Sequence, residues 1–363
     1  MRWAKPTHQS KEQVNRAGDT LISDMATVEE KNKALEILDN WRAIHSYPLH
    51  IFKKRLKDVS TEKVDKSALT AQRLKRVPAI IKKLKRKYGG QQPTMRLSQM
   101  QDIGGCRAVV STIPQVKKLF EDYYLKGDLK HKRVGIKDYI AAPKEDGYRS
   151  THIIYKFFSK RQGKKEYNGL LIEIQLRTKL QHYWATAIET VDFFTRQAIK
   201  SNEGEKEWMN FFKLVSSAFA KIENCPTVPN TPTDDKELYS QIKQKENELN
   251  VIKIMSGWTS AIKFFEEYTA KSSKEKPQFF LLQLDISGGE MKLSSYTKDE
   301  EQKAISDYAE AEKKSKEKEY DVVLVGVDTI GDLRKAYPNY FVDSKEFLEN
   351  LTKIIKKATN NGF

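Results

Sequence analysis

Apolar positions recur at helical spacing through residues 20–57, where Leu21, Val28, Leu35, Leu38 and Trp41 predict a helical region. Pro48 breaks or restarts the pattern before Leu49, Ile51 and Phe52. Residues 69–88 predict a basic helix closed by Gly89-Gly90. The apolar run from Gly105 to Val110 predicts a strand, and Pro114 opens a helix that extends to Tyr124. Asp138-Tyr139-Ile140 then leads into a loop, Pro143-Lys144-Glu145-Asp146-Gly147. Thr151 to Phe158 and Leu170 to Leu176 read as strands. In the second, Ile172, Ile174 and Leu176 alternate with Glu173, Gln175 and Arg177, so one face is apolar and the other is polar. A long helical stretch from Lys179 to Ile222 follows.

The apolar period stops at residues 224–235. Three of the eleven prolines, Pro226, Pro229 and Pro232, fall there, which predicts a linker. Beyond it the pattern predicts a helix at 236–269 and a hairpin turning at Ser287-Gly288-Gly289, with strands near 279–286 and 290–296. A charged helix at 298–317, a strand from Val322 to Val327, a short helix, the segment Tyr337-Pro338-Asn339-Tyr340-Phe341 and a basic terminal helix complete the chain. The expected organisation is therefore a region 1–223, a linker 224–235 and a smaller domain 236–363.

Composition narrows the class. The 363 residues are 39% hydrophobic and 31% charged, and no stretch has the roughly 20 uncharged apolar residues that span a bilayer. The first residues carry no apolar core of the kind a signal peptide has. With two distant cysteines, Cys106 and Cys225, neither a disulfide framework nor a thiolate zinc site is expected, and a reducing cytoplasm is the simplest setting. The net charge of +16 is uneven. Residues 234–363 hold 21 Lys/Arg against 24 Asp/Glu, and residues 1–233 hold 44 against 25. A basic N-terminal part attracts polyanions such as nucleotides or RNA.

Phosphate-loop, dinucleotide and HExxH motifs are absent, and the six histidines show no metal-ligand spacing. Candidate chemistry comes instead from four charged segments. Arg73, Lys75, Arg76, Lys82 and Lys83 offer cations to a polyphosphate; on a helix Arg73, Arg76 and Lys83 share a face and Lys75 lies to one side. A basic helix by itself is more often a solvated face. Asp102-Ile103-Gly104-Gly105-Cys106-Arg107 puts an acid at a strand entry, where it can ligate Mg²⁺ or cap a turn. The loop from Asp138 to His152 carries Lys144, Tyr148, Arg149 and His152, a ring for stacking and cations for phosphates. Glu173, Gln175 and Arg177 line one strand face, a floor fit to hold a metal, a hydroxyl and a phosphate.

These segments, in this order, resemble the (p)ppGpp synthetase domain of the RelA/SpoT family. The strings are Arg-Leu-Lys at 73–75 with Lys83, DIGGCR at 102–107, DYIAAPKEDGYRSTH at 138–152, and EIQLRT at 173–178 followed by WATAIE at 184–189. The resemblance implies an α+β fold, a mixed β-sheet flanked by helices, with a smaller C-terminal α/β domain here. It implies transfer of the β,γ-pyrophosphate of ATP to a ribose 3′-hydroxyl with Mg²⁺. Asp102 and Glu173 match the metal-binding and catalytic acids. Arg73 and Arg107 match arginines that sandwich adenine; Lys75, Lys83 and Lys144 match phosphate contacts. Tyr148 matches the acceptor-stacking tyrosine, with His152, Gln175 and Arg177 in the acceptor or phosphate site.

Ala79 and Thr190 depart from a serine and a histidine common in the family, which points away from a guanosine nucleotide as acceptor. Asn40 to Leu49 resembles the N-terminal region of toxic small alarmone synthetases, whose acceptor is the 3′ CCA end of tRNA. Ala336 to Phe341 resembles the YxxY segment of fused, CapRel-type toxin–antitoxins, in which the C-terminal domain fills the adenine site until a phage capsid protein binds. The expectation is an autoinhibited toxin enzyme, with Tyr337 and Tyr340 as the plug. The alternative is a (p)ppGpp synthetase acting on GDP or GTP.

Overall fold

The structure is a computed structural model that describes residues 3–7, 10–86, 94–198, 202–260, 277–285, 290–315, 320–326 and 340–360. Two compact units divide the chain. Unit 1 comprises Met1–Ile140 and Ser150–Lys179; unit 2 comprises Ala141–Arg149 and Leu180–Phe363.

Unit 1 opens with three helices, α1 (Lys11–Ile22), α2 (Val28–Ile44) and α3 (Ser46–Val59). Ser10 caps α1, and Thr27 with Glu30 forms a reciprocal capping box at α2, so orphan N–H groups at both starts have acceptors. Then follow β1 (Leu69–Leu74), α4 (Val77–Leu84), β2 (Gly104–Val110), α5 (Ile113–Lys118), β3 (Lys132–Asp138), β4 (Thr151–Lys156) and β5 (Leu171–Thr178). They form a sheet of order β1-β2-β5-β4-β3, in which only β2 and β5 run parallel. This is the mixed sheet flanked by helices that the family resemblance implies. Ile172, Ile174 and Leu176 are fully buried. On the same face a Cβ at Gly104 would meet Ile172 Cδ1 at 2.9 Å and His45 and Leu49 of the α2–α3 region at 3.4 and 3.7 Å, so glycine lets the helices lie against the sheet.

Elements of unit 1 differ from the expected pattern. The helical region expected over residues 20–57 is broken at residues 23–27, and the helix that contains Leu21 starts already at Lys11. Residues 69–88 are not one helix: residues 69–74 are an edge strand and the helix starts at Val77, with Pro78 in its first turn. Proline disfavours a helical residue before it and suits a helix start, so it divides the segment. The edge strand β3 was not foreseen, because its apolar alternation is only Val134 and Ile136 between charged residues, and almost all of its residues are exposed.

Asp65 ties the turn before β1 to the end of β2. It accepts from Ser67 N at 2.8 Å and Ser111 N at 2.8 Å. Burial acts to raise its pKa, but the Ser67 and Ser111 hydrogen bonds prevail and bring it to about 2. The stabilisation is present above the unfolded carboxylate pKa near 4 and is lost as pH falls towards 2; it amounts to about 2 kcal/mol. Asp65→Asn is expected to lower the thermal midpoint at pH 7, with the gap to the parent closing near pH 2.

Unit 2 contains α6 (Lys179–Ala198), α7 (Asn202–Ile222), α8 (Asp235–Leu249), helix α9 (residues 251–260), β6 (Phe279–Asp285), β7 (Met291–Tyr296), α10 (Glu301–Ser315), β8 (Tyr320–Gly326) and α11 (Tyr340–Asn360). Asn250, in the left-handed region at φ 49°, separates α8 from α9, where a single helix was expected. The strands form an antiparallel sheet of order β7-β6-β8. Phe280, Leu282 and Leu284 join Trp184, Phe211, Phe212, Trp258, Phe347 and Leu351 in one apolar core, while Leu281 faces a second cluster with Ala304 and Ala311 of α10. Buried His182 and Asp343 pair at 3.0 Å, joining α6 to α11.

Segment 224–235 is not a boundary between the compact units. It folds along α7: Val228 is buried and its N–H donates to Ser217 Oγ at 3.0 Å, and Lys221 pairs with Asp235. Asn224 and Asn230 take positive φ, 51° and 57°, and turn the chain between the prolines. A proline-rich stretch without apolar period reads as a linker, yet one apolar residue and two left-handed turns anchor it.

Candidate active site

Pairing register assembles the charged face of the unit 1 sheet. Arg73 on β1 stands opposite Gly105 on β2, and Gly105 stands opposite Glu173 on β5. Arg107, Gln175 and His152 form the next row, on β2, β5 and β4. Opposed residues share a sheet face, so the polar face expected for β5 carries Arg73 and Arg107 too. The two adjacent glycines serve different faces. A Cβ at Gly105 would meet only the Glu173 carbonyl oxygen, at 3.8 Å, which leaves an open place between Arg73 and Glu173.

Asp102 stands just before β2. Lys75 Nζ donates to its Oδ2 at 2.9 Å, and Lys83 Nζ donates to its Oδ1 at 2.9 Å. Lys75 N also donates to Ile103 O at 2.8 Å, fixing the β1–α4 turn beside the acid. Burial is the largest influence on the Asp102 carboxyl and acts to raise its pKa, but Lys75 and Lys83 outweigh it and hold the group below its ordinary range. Lys75 is therefore brought to the acid together with Lys83 rather than lying to one side. The sign available in the sequence was Pro78, which ends the helical reading before Lys75.

Glu173 is 7% exposed. Its Oε1 lies 3.0 Å from His152 Nδ1, and its Oε2 accepts from Gln175 Nε2 at 2.7 Å. Burial acts to raise its pKa, the hydrogen bonds and the charge of His152 lower it, and the Asp102 carboxylate pushes it up; the net direction is downward. His152 and Gln175, expected at the acceptor or a phosphate, are here engaged with Glu173. Arg177 is buried at the end of the same strand face.

In unit 2, loop 141–149 is held by its own turn chemistry. Gly147 N donates to Lys144 O at 2.9 Å, and Tyr148 N donates to Asp146 Oδ1 at 2.9 Å. Gly147 has φ 92°, and a Cβ there would strike Trp184 Cζ2 at 2.7 Å, so the position requires glycine. Lys144 Nζ lies 5.1 Å from the centroid of the half-buried Tyr148 ring. Arg149, a candidate phosphate cation by sequence, is instead 2% exposed and paired with Glu223. Thr190 is buried and donates to Thr186 O at 2.9 Å. Tyr337 lies outside the described residues, as does the side chain of Tyr340, which opens α11.

Residues 72–193 match the family described as "Region found in RelA / SpoT proteins". This segment is a RelA/SpoT region. It contains β2 to β5 and the loop, with every candidate donor and acceptor residue named above. Over 122 residues the chain is 32% identical to GTP pyrophosphokinase YjbM of Bacillus subtilis (strain 168), covering 33% of this chain and 54% of that protein. Over 118 residues it is 34% identical to GTP pyrophosphokinase YwaC of the same organism, covering 32% and 54%. The chain thus spans about half the length of the curated relatives it matches. Among solved structures, it is similar to small alarmone synthetase 1 from Bacillus subtilis bound to its product pppGpp, with 24% identity, 49% of this chain and 89% of that chain covered, and a TM-score of 0.41. Within the RelA/SpoT region the paired acids Asp102 and Glu173 stand at the starts of the parallel strands β2 and β5.

Proposed function

We propose that this chain transfers the pyrophosphoryl group of ATP to the 3′-hydroxyl of the terminal adenosine in the tRNA CCA end, blocking translation. The observation that carries the chemistry is a pair of carboxylates held ionised, Asp102 between Lys75 and Lys83 and Glu173 between His152 and Gln175, on the sheet end that also presents Arg73 and Arg107. The acceptor oxygen bonds to the β-phosphorus, the bond from that phosphorus to the α–β bridging oxygen breaks, and AMP leaves. Such a transfer needs charge neutralisation and alignment more than covalent help.

Glu173, with its depressed pKa, is a weak base; it aligns the hydroxyl and receives its proton as the new bond forms. Arg73 and Arg107 take the adenine. Lys75, Lys83 and Lys144 take phosphates, and Tyr148 takes the acceptor base. Carboxylate oxygens of this kind suit Mg²⁺. Asp102 and Glu173 would hold it, and it would neutralise charge on the pyrophosphoryl oxygens.

The excess of cations in residues 1–233 supports a polyanionic acceptor. The C-terminal part restrains the enzyme through Tyr337 and Tyr340 until a phage protein such as a capsid protein engages it. The proposed setting is the cytoplasm, on the ground that the chain has two distant cysteines, Cys106 and Cys225, and no disulfide framework to build from them. A second reading, synthesis of (p)ppGpp from GDP or GTP, is favoured by the names of the two curated relatives.

The test uses the full chain and its Tyr337→Ala/Tyr340→Ala variant, because deleting residues 225–363 would strip Phe347, Trp258 and Phe280 from the core shared with α7. Each protein is incubated with γ-³²P-ATP and either deacylated tRNA or GDP. The expected result is label in tRNA, stronger for the tyrosine variant. A new ppGpp spot with unlabelled tRNA would transfer the case to the second reading. No label in either acceptor would overturn both.

A further inference from the structure

We propose that Glu223, acting through Arg149, is a positioning residue that sets the acceptor loop 141–149, so that the last turn of α7 controls where Tyr148 points. This rests on the reading above in which Tyr148 receives the acceptor base. Tyr148 is held from both sides by groups of unit 2. On one side, Ser216 Oγ of α7 donates to Gly147 O at 2.6 Å, and Gly147 is confined by Trp184, Lys213 and Ser216. On the other side, Arg149 Nη2 donates to Glu223 Oε2, and Arg149 Nη1 reaches Ser216 O at 3.4 Å. Gln181 Nε2 of α6 donates to the same Glu223 oxygen at 3.1 Å.

The side chains of Arg149 and Glu223 are 2% and 8% exposed. A buried ion pair gives little net stability over apolar residues of the same shape, because desolvation offsets attraction. What it supplies is direction: a planar guanidinium fixes its partner in angle as well as distance. Here it fixes the residue next to Tyr148. Glu223 directly follows α7, with its N–H bonded to Phe219 O and Ala220 O, and segment 224–235 starts immediately after it. That segment is tied back to α7 through Ser217 with Thr231 and Lys221 with Asp235. A shift of the segment can therefore reach the loop through the Glu223–Arg149 pair.

The experiment places Arg149→Met/Glu223→Leu, which keeps volume without charge, in the full chain carrying Tyr337→Ala/Tyr340→Ala. Thermal midpoint, kcat, KM for ATP and KM for the acceptor found active are measured against that background. The expected result is a near-parental midpoint, an unchanged KM for ATP, and an acceptor KM raised by about tenfold to a hundredfold, as for a misplacement of the order of 1 Å. An unchanged acceptor KM in a folded double variant would show that the pair is structural only and would overturn the inference. If the double variant fails to fold, Glu223→Gln gives the decision, since it keeps the hydrogen-bonding shape. It is then expected to raise acceptor KM and to speed hydrogen exchange at the Gly147 amide; neither change would overturn the inference. A background protein that labels no acceptor would instead sink the enzymatic reading, and the Gly147 exchange rate would still report on the pair.

Discussion

Glu173→Gln is expected to reduce pyrophosphoryl transfer by roughly 10²–10⁴-fold while leaving the fold intact. The side chain is buried, and both of its oxygens are engaged, with His152 and Gln175. A glutamine has the same shape, so the volume between β4 and β5 stays filled. It removes the negative charge and offers one acceptor oxygen where the carboxylate has two. A developing proton on the acceptor hydroxyl then has no anionic recipient. Gln175 or His152 reorients to suit the new amide, at a cost of about one hydrogen bond, ~1 kcal/mol in stability. Rates from single-turnover transfer with γ-³²P-ATP, set beside thermal melts, separate the two effects. A variant that keeps parental turnover would remove Glu173 from the reaction.

Asp102→Asn is the second large effect, expected at about 10²–10³-fold in kcat, the scale of losing one charged stabiliser in a preorganised site. Lys75 and Lys83 both point at this carboxylate at 2.9 Å. Without the charge the two ammonium groups face each other with no counter-ion, and ATP phosphates become their best partner. The KM for ATP is therefore expected to hold or fall, while the Mg²⁺ concentration for half-maximal rate rises. The opposite pattern, a raised KM for ATP with normal kcat and Mg²⁺ dependence, would assign Asp102 to holding the lysines in place and to nothing else. Because Asp102 is mostly buried between two lysines, thermal melts set beside the kinetics separate a loss of folding from a loss of catalysis.

Much of the RelA/SpoT region was legible because its signals are local. The alternation at 172–177 placed Ile172, Ile174 and Leu176 in the core and Glu173, Gln175 and Arg177 on the other face, and the strand has that form. By residue type alone Asp102 could equally cap a turn, and Asp102, Lys144 and Tyr148 were singled out only through the motif order that resembles the family. Lys75 was misplaced because a basic stretch was read as one helix through Pro78, and β3 was passed over because its apolar period is only Val134 and Ile136 on an exposed edge.

The sequence by itself determined which face of β5 is apolar and which charged residues stand at strand ends, since each follows from neighbours a few positions apart. Only the tertiary structure decided who meets whom across longer spans. Lys75 and Lys83 reach Asp102 over 27 and 19 residues, Arg149 is withdrawn from solvent by Glu223 over 74, and Val228 buries a stretch that composition marks as a linker. The physical reason is that periodicity reports the direction of a side chain relative to its own element. Which charge lies opposite it depends on strand register and on how the helices close over the core.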